Sequence, residues 1–249
     1  MLYGFIAGLA VMAAGIIGSA AALVFKRVSH RANDCIIGYA AGVMLAAAFV
    51  GLLPNVFYGQ DVIGIIAGIS GIAAGAVSIT FVDRFVPHMH PNNREMDENS
   101  DKRGRNTTLL IVIAVAIHNI PEGLATGISF SQGITDSAFL VAVSMAVQKL
   151  PEGLIVTFPL LASGMKKGKA FLLSCLVALM MLPGLAAGVL LGALPPLLAA
   201  FFYAFTFGAI IYVVSDEIIP ESHHNGFERW ATFSLIGGIL TVLLIEMLI

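Results

Sequence analysis

Eight stretches of this sequence stay apolar for about the ~20 residues that a helix needs to cross a bilayer's hydrocarbon core. They lie near 3–25, 35–53, 62–86, 107–130, 137–162, 170–194, 197–219 and 229–249. In lipid every backbone polar group must be satisfied internally, and runs of this length do so as helices. The expectation is an all-α integral membrane protein of eight transmembrane helices, with residues 1–249 forming a single transmembrane domain. The join at Leu194-Pro195-Pro196 is placed by its prolines, which end one helix and open the next. The start, Met1-Leu2-Tyr3-Gly4, lacks the positive region of a signal peptide, so the first run is expected to be retained as a helix.

Charge is scarce and clustered. Only 11% of residues are charged and 58% are hydrophobic, whereas soluble domains carry about 25% charged residues. A net charge of −2 argues against nucleic acid as a partner. Cys35 and Cys175 both fall in apolar runs and read as small buried hydrophobes, not as a disulfide or a thiolate metal site.

The basic residues give the orientation. Lys26, Arg27 and Arg31 lie between the first and second runs, and Arg84, Arg94, Lys102, Arg103 and Arg105 between the third and fourth. Lys166, Lys167 and Lys169 lie between the fifth and sixth, and Arg229 leads into the eighth. All these connections fall on one side, which is cytoplasmic by the positive-inside rule, so both termini are expected to be extracytoplasmic in a cell membrane. The connection at about 87–106 is the one long one and reads as a mobile cytoplasmic loop. Glycine pairs such as Gly4 and Gly8, Gly64 and Gly68, Gly71 and Gly75, and Gly184 and Gly188 suggest close helix packing.

The remaining basic residue, Lys149, lies inside the fifth run, within one of two copies of an unusual phrase. His118-Asn119-Ile120-Pro121-Glu122-Gly123-Leu124 sits in the fourth run, and Gln148-Lys149-Leu150-Pro151-Glu152-Gly153-Leu154 sits in the fifth. An ionisable side chain at mid-membrane costs roughly 2.5 to 3.5 kcal/mol on insertion scales, so these groups need a compensating ion, partner or task. His118 and Glu122 are four residues apart and share a helix face, and Gln148 and Glu152 repeat the spacing. One phrase on two antiparallel neighbours is what a two-fold axis in the membrane plane would produce. Pro121 and Pro151 are expected to unwind the helix and free the carbonyls of Ile117 and Val147, with Gly123 and Gly153 adding room beside each kink. One imidazole nitrogen, two carboxylates and an amide oxygen suit zinc, iron(II), cobalt, manganese or cadmium more than magnesium or calcium.

His-Asn-x-Pro-Glu-Gly in a fourth helix with a second Pro-Glu-Gly in a fifth resembles the ZIP family of divalent-metal transporters. The chain looks closest to its prokaryotic GufA-like branch, which also opens the fifth-helix phrase with Gln. The stretch Tyr212-Val213-Val214-Ser215-Asp216-Glu217-Ile218-Ile219-Pro220-Glu221-Ser222 is similar to that branch's seventh helix. The resemblance implies a ZIP-like 3+2+3 inverted repeat, often a homodimer, that moves zinc or a related ion toward the cytoplasm and requires no other cofactor. It implies that His118, Glu122, Gln148 and Glu152 are the metal ligands, and that Met44 matches a thioether ligand of the branch, although a methionine on a membrane helix also serves packing.

This chain departs from the two-metal members of the branch. It has Lys149 where they carry an acid, and Leu182-Pro183 where they have a glutamate before the proline. The expectation is a single-metal site in which Lys149, with Asn119 beside the same centre, replaces a second ion as countercharge to Glu122 and Glu152. Such a site carries −1 when empty and +1 with a divalent ion, so binding is expected to involve proton exchange. Asp216, Glu217, Glu221, His223 and His224 mark a candidate exit path at the cytoplasmic end of the seventh run; solvated loop polarity is the plainer alternative.

Two other functions remain open on the residues alone. An intramembrane metal-dependent hydrolase would need more than the one mid-membrane histidine present. A channel or proton-linked carrier for another substrate would need a wider set of polar side chains than Ser144, Thr126 and Ser129 provide.

Overall fold

The structure is a computed structural model and describes residues 2–24, 29–57, 61–85 and 100–249. His88 and His90 lie outside the described residues, as do Lys26 and Arg27. The described residues form helices α1 (Leu2–Ala22), α2 (His30–Ala46), α3 (Leu53–Phe57), α4 (Val62–Phe85), α5 (Ser100–Ser129) and α6 (Asp136–Ala162). They continue with α7 (Lys167–Leu179), α8 (Met181–Leu191), α9 (Pro196–Val213), α10 (Ile219–Ser222) and α11 (Glu228–Leu248). Among the described residues, seven helical spans are long and apolar enough to cross a membrane. The helix bearing His118 and Glu122, α5, is not one of the seven. It is 30 residues long and joins the charged stretch Asp101-Lys102-Arg103 to the polar phrase.

Several boundaries differ from the sequence reading. Of the loop expected at about 87–106, residues 100–106 belong to α5 and residues 87–99 lie outside the described residues. The second span starts earlier than residue 35, where Ser29 caps α2 by accepting from the Ala32 amide at 3.2 Å. The sixth span is two helices, broken at Met180. Pro183 explains the break: it has no amide for the Leu179 carbonyl, and its ring crowds that turn.

The prolines of the doubled phrase do not unwind their helices. Both α5 and α6 run unbroken through Pro121 and Pro151. The irregular backbone lies elsewhere, in π-helical turns at Ala47–Leu52 and Val214–Ile218, between α2 and α3 and between α9 and α10. Each turn ends close to a proline, Pro54 or Pro220. Widening to an i→i+5 pattern lets the carbonyl that a proline cannot serve reach the next amide along. In keeping with this, the Leu53 amide bonds the Ala48 carbonyl and the Ile219 amide bonds the Val214 carbonyl.

Packing is organised in four helix pairs: α4 with α9, α5 with α8, α2 with α11 and α1 with α6. Glycines set the separation in each pair. A Cβ on Gly75 would lie 2.0 Å from the Phe205 carbonyl oxygen, one on Gly184 2.0 Å from that of Ile120, and one on Gly42 1.9 Å from that of Leu235. Gly123 and Gly153, expected to flank kinks, do the same work against the carbonyls of Met181 and Gly15. These contacts seat α5 against α8 and α6 against α1 beside each proline. Gly75→Ala is therefore expected to destabilise the detergent-solubilised protein by about 1–3 kcal/mol, as overpacking does. Gly237→Ala, whose Cβ would meet nothing within 4 Å, should leave thermal melting unchanged.

Candidate metal centre

The antiparallel helices α5 and α6 bring the two copies of the phrase face to face, and their polar side chains meet inside the bundle. Glu122 is 2% exposed, and its Oε1 accepts a hydrogen bond from Gln148 Nε2 at 2.7 Å. The Lys149 ammonium, itself buried, contacts the other Glu122 oxygen and the Asn119 amide oxygen. It also donates to Glu152 Oε2 at 2.5 Å, where Glu152 keeps an 18% exposed side chain. Asn119 is fixed from its other side, its Nδ2 donating to the Val177 carbonyl of α7 at 2.9 Å. Glu122, Gln148, Lys149, Glu152 and Asn119 thus form one connected network.

His118 is buried at the edge of this network and pairs with a different helix. Its Nε2 lies 2.9 Å from Oε1 of Glu217, which the π turn after α9 carries inward. The sequence placed Glu217 on an exit path, whereas the structure puts it in contact with a candidate ligand. The other candidate exit residues do not gather there. Asp216 is exposed and lines a hollow with Tyr212, Ser215 and Ile72 on another face of the same turn. His223 folds back so that Nδ1 donates to the Ile219 carbonyl at 2.8 Å, while Glu221 and His224 are exposed. Met44 is 4% exposed and packs in the central apolar core with Met145, Met181 and Ala125.

Among the described residues, no three His, Cys, Asp or Glu side chains converge as a ready-made metal shell. The physical reason is visible in the contacts: the ammonium stands between the two carboxylates, and the imidazole is turned to Glu217. What the centre offers an ion is a set of buried oxygens, one of which, Gln148 Oε1, has no hydrogen-bond partner among the described residues.

One buried acid escaped the sequence reading. Asp34, fully buried near the start of α2, accepts from Asn225 Nδ2 at 2.6 Å and from the Phe227 amide at 3.4 Å. It ties the turn after α10 to α2, assisted by Arg31 stacked 3.5 Å from the Trp230 ring centroid. The available signal was an aspartate directly abutting an apolar run, at a point where the run was taken to begin one residue later.

Residues 88–246 match the family model described as ZIP Zinc transporter. The chain is 34% identical over 254 residues to Zinc transporter ZIPB of Bordetella bronchiseptica, covering 98% of this chain and 80% of that one. It is 35% identical over 178 residues to Zinc transporter GufA of Myxococcus xanthus, covering 72% and 69%. A third relative, Zinc transporter ZupT of Corynebacterium efficiens, is 32% identical over 251 residues, covering 94% and 90%.

Proposed function

The chain belongs to the ZIP zinc transporter family, and from that premise we propose that the network between α5 and α6 passes one divalent ion at a time, zinc foremost, toward the cytoplasm. The protein is a multi-pass membrane transporter of divalent metal ions. In the proposed site His118, Glu122, Gln148 and Glu152 supply the donors, with Met44 as a soft contact from the neighbouring core. Asn119 and Lys149 fill the place of a second ion. The observation that carries this reading is the Lys149 ammonium in contact with both Glu122 and Glu152. A fixed positive charge there keeps two buried carboxylates from facing each other unpaired, and it leaves their remaining lone pairs for a single cation.

The wider architecture in this reading has α5 as an eighth span, both termini outside in the cell membrane, and a 3+2+3 inverted repeat that pairs into homodimers. The helix pairing supports the repeat. Exchanging spans one with six, two with seven, three with eight and four with five carries each of the four helix pairs onto another, and one π turn onto the other. Glu217, within reach of His118, is the first group an ion meets beyond the centre. The relatives are named as transporters, and the one buried mid-membrane histidine argues against a hydrolytic metal site in the same place.

Uptake into proteoliposomes tests the reading. Zinc, cadmium, cobalt, manganese and iron(II) are expected to accumulate saturably and to compete with one another, while magnesium and calcium do not, because the donor set is mixed nitrogen and oxygen. Equal uptake of magnesium, or release of a cleaved product without ion accumulation, would rule it out.

A further inference from the structure

Among the described residues, buried serine and threonine hydroxyls bond a carbonyl one helical turn back, with one exception. Ser19, Thr126, Ser129, Thr157, Ser174 and Thr206 each donate to the carbonyl four residues back, at 2.8–3.1 Å, and Ser222 donates to the carbonyl three back at 2.7 Å. Ser144 is fully buried, and its Oγ has no partner among the described residues. One turn along the same face of α6 lies Gln148, 1% exposed, whose Nε2 donates to Glu122 and whose Oε1 also has no partner among the described residues. Buried polar atoms without partners are rare because they lose their hydration and gain nothing. Two of them one helical turn apart, beside a transport centre, point to a ligand other than the protein's own described groups.

The position of the pair says which partner. Ser137, Ser144 and Gln148 fall within about 20° of one line along α6 at 3.6 residues per turn. Ser137 marks the end of that line at the α5–α6 turn, where it donates to the Gly51 carbonyl and accepts from Asn55, both at or next to the π turn after α2. Between Ser137 and Gln148, the apolar side chains of Val141 and Met145 pack into the central core with Leu52 and Met44. The stripe therefore leads from the bundle end along packed apolar side chains to the centre, and Ser144 is the one side-chain oxygen on it between Ser137 and Gln148.

We propose that Ser144 Oγ and Gln148 Oε1 form an ingress step for the divalent cation, replacing two of its waters before it reaches Glu122 and Glu152. The proposal deepens the transport reading above and rests on it. Ser144 thereby becomes a residue that sets apparent affinity and metal preference.

The test compares wild type, Ser144→Ala, Ser144→Cys and Glu122→Ala in proteoliposome uptake, with zinc, manganese and cadmium as probes. Ser144→Ala is expected to raise the KM for zinc by roughly three- to tenfold with the maximal rate kept within about twofold. Ser144→Cys is expected to move preference toward cadmium and away from manganese, because a thiol favours softer ions. Both variants should melt at or above the wild-type temperature, since each relieves an unpaired buried hydroxyl. Wild-type KM and wild-type metal order in both variants would overturn the proposal while leaving the transport reading intact. A wild-type protein that moves no metal would overturn both and thereby distinguish the two failures.

Discussion

Glu122→Ala is expected to lower zinc uptake to on the order of a hundredth of wild type or less, and to destabilise the protein as well. The carboxylate has two partners at once, Gln148 through one oxygen and Lys149 through the other. Alanine leaves the ammonium with half of its negative surroundings and the Gln148 amide with only the Met145 thioether as acceptor. Breaking a buried ion pair by removing one member is destabilising by about 3–5 kcal/mol. Glu122→Gln separates the two effects. It keeps one oxygen, enough for Gln148 or Lys149 but not for both, and leaves Lys149 balanced by Glu152, so the loss of melting temperature should be smaller than in Glu122→Ala while uptake is still lost. Uptake by Glu122→Ala within about twofold of wild type would remove this carboxylate from the path.

The second large effect concerns Lys149. Lys149→Ala leaves Glu122 and Glu152 without the cation that both contact, and the purified protein is expected to lose stability on the scale of a broken buried pair, about 3–5 kcal/mol. Lys149→Asp goes further by adding a third acid beside the Asn119 amide oxygen that the ammonium now occupies. Bound zinc per chain, measured by elemental analysis or calorimetry, is expected to rise from one to two. The second ion supplies in the variant the positive charge that the side chain supplies in the native protein. Unchanged stoichiometry in Lys149→Asp together with unchanged transport in Lys149→Ala would refute the countercharge role.

Much of this arrangement was legible in the sequence, and the gaps have physical causes. Apolar run length located seven of the eight expected spans because lipid forbids unsatisfied backbone, and the spacing of His118, Glu122, Gln148 and Glu152 marked the polar residues that meet between α5 and α6 because four residues is about one helical turn. Spacing within a helix says nothing about which rotamer a side chain adopts across helices. It therefore did not show that His118 turns to Glu217 or that Lys149 reaches Glu122, Glu152 and Asn119 together. The prolines were misread for a related reason. Pro121 and Pro151 lie inside continuous helices, each beside a glycine packed on α8 or α1, whereas Pro54 and Pro220 follow π turns. The break at Met180 was legible in Pro183, which was read only for the acid missing before it. Asp34 escaped because its partners, Asn225 and Phe227, are about 190 residues away in the chain, beyond the reach of any local pattern.

The widened turn at Val214–Ile218 amounts to one surplus residue threaded into a helix. Its presence decides by rotation alone which of two adjacent acids, Asp216 or Glu217, looks toward His118 and which looks away. Length, and not chemistry, is the setting here. Removing Val214 or Ser215 would swing everything after it by about 100° around the axis, keeping every acid in the chain while withdrawing the carboxylate from its imidazole. Deleting either residue should consequently harm ion movement more than replacing it with alanine.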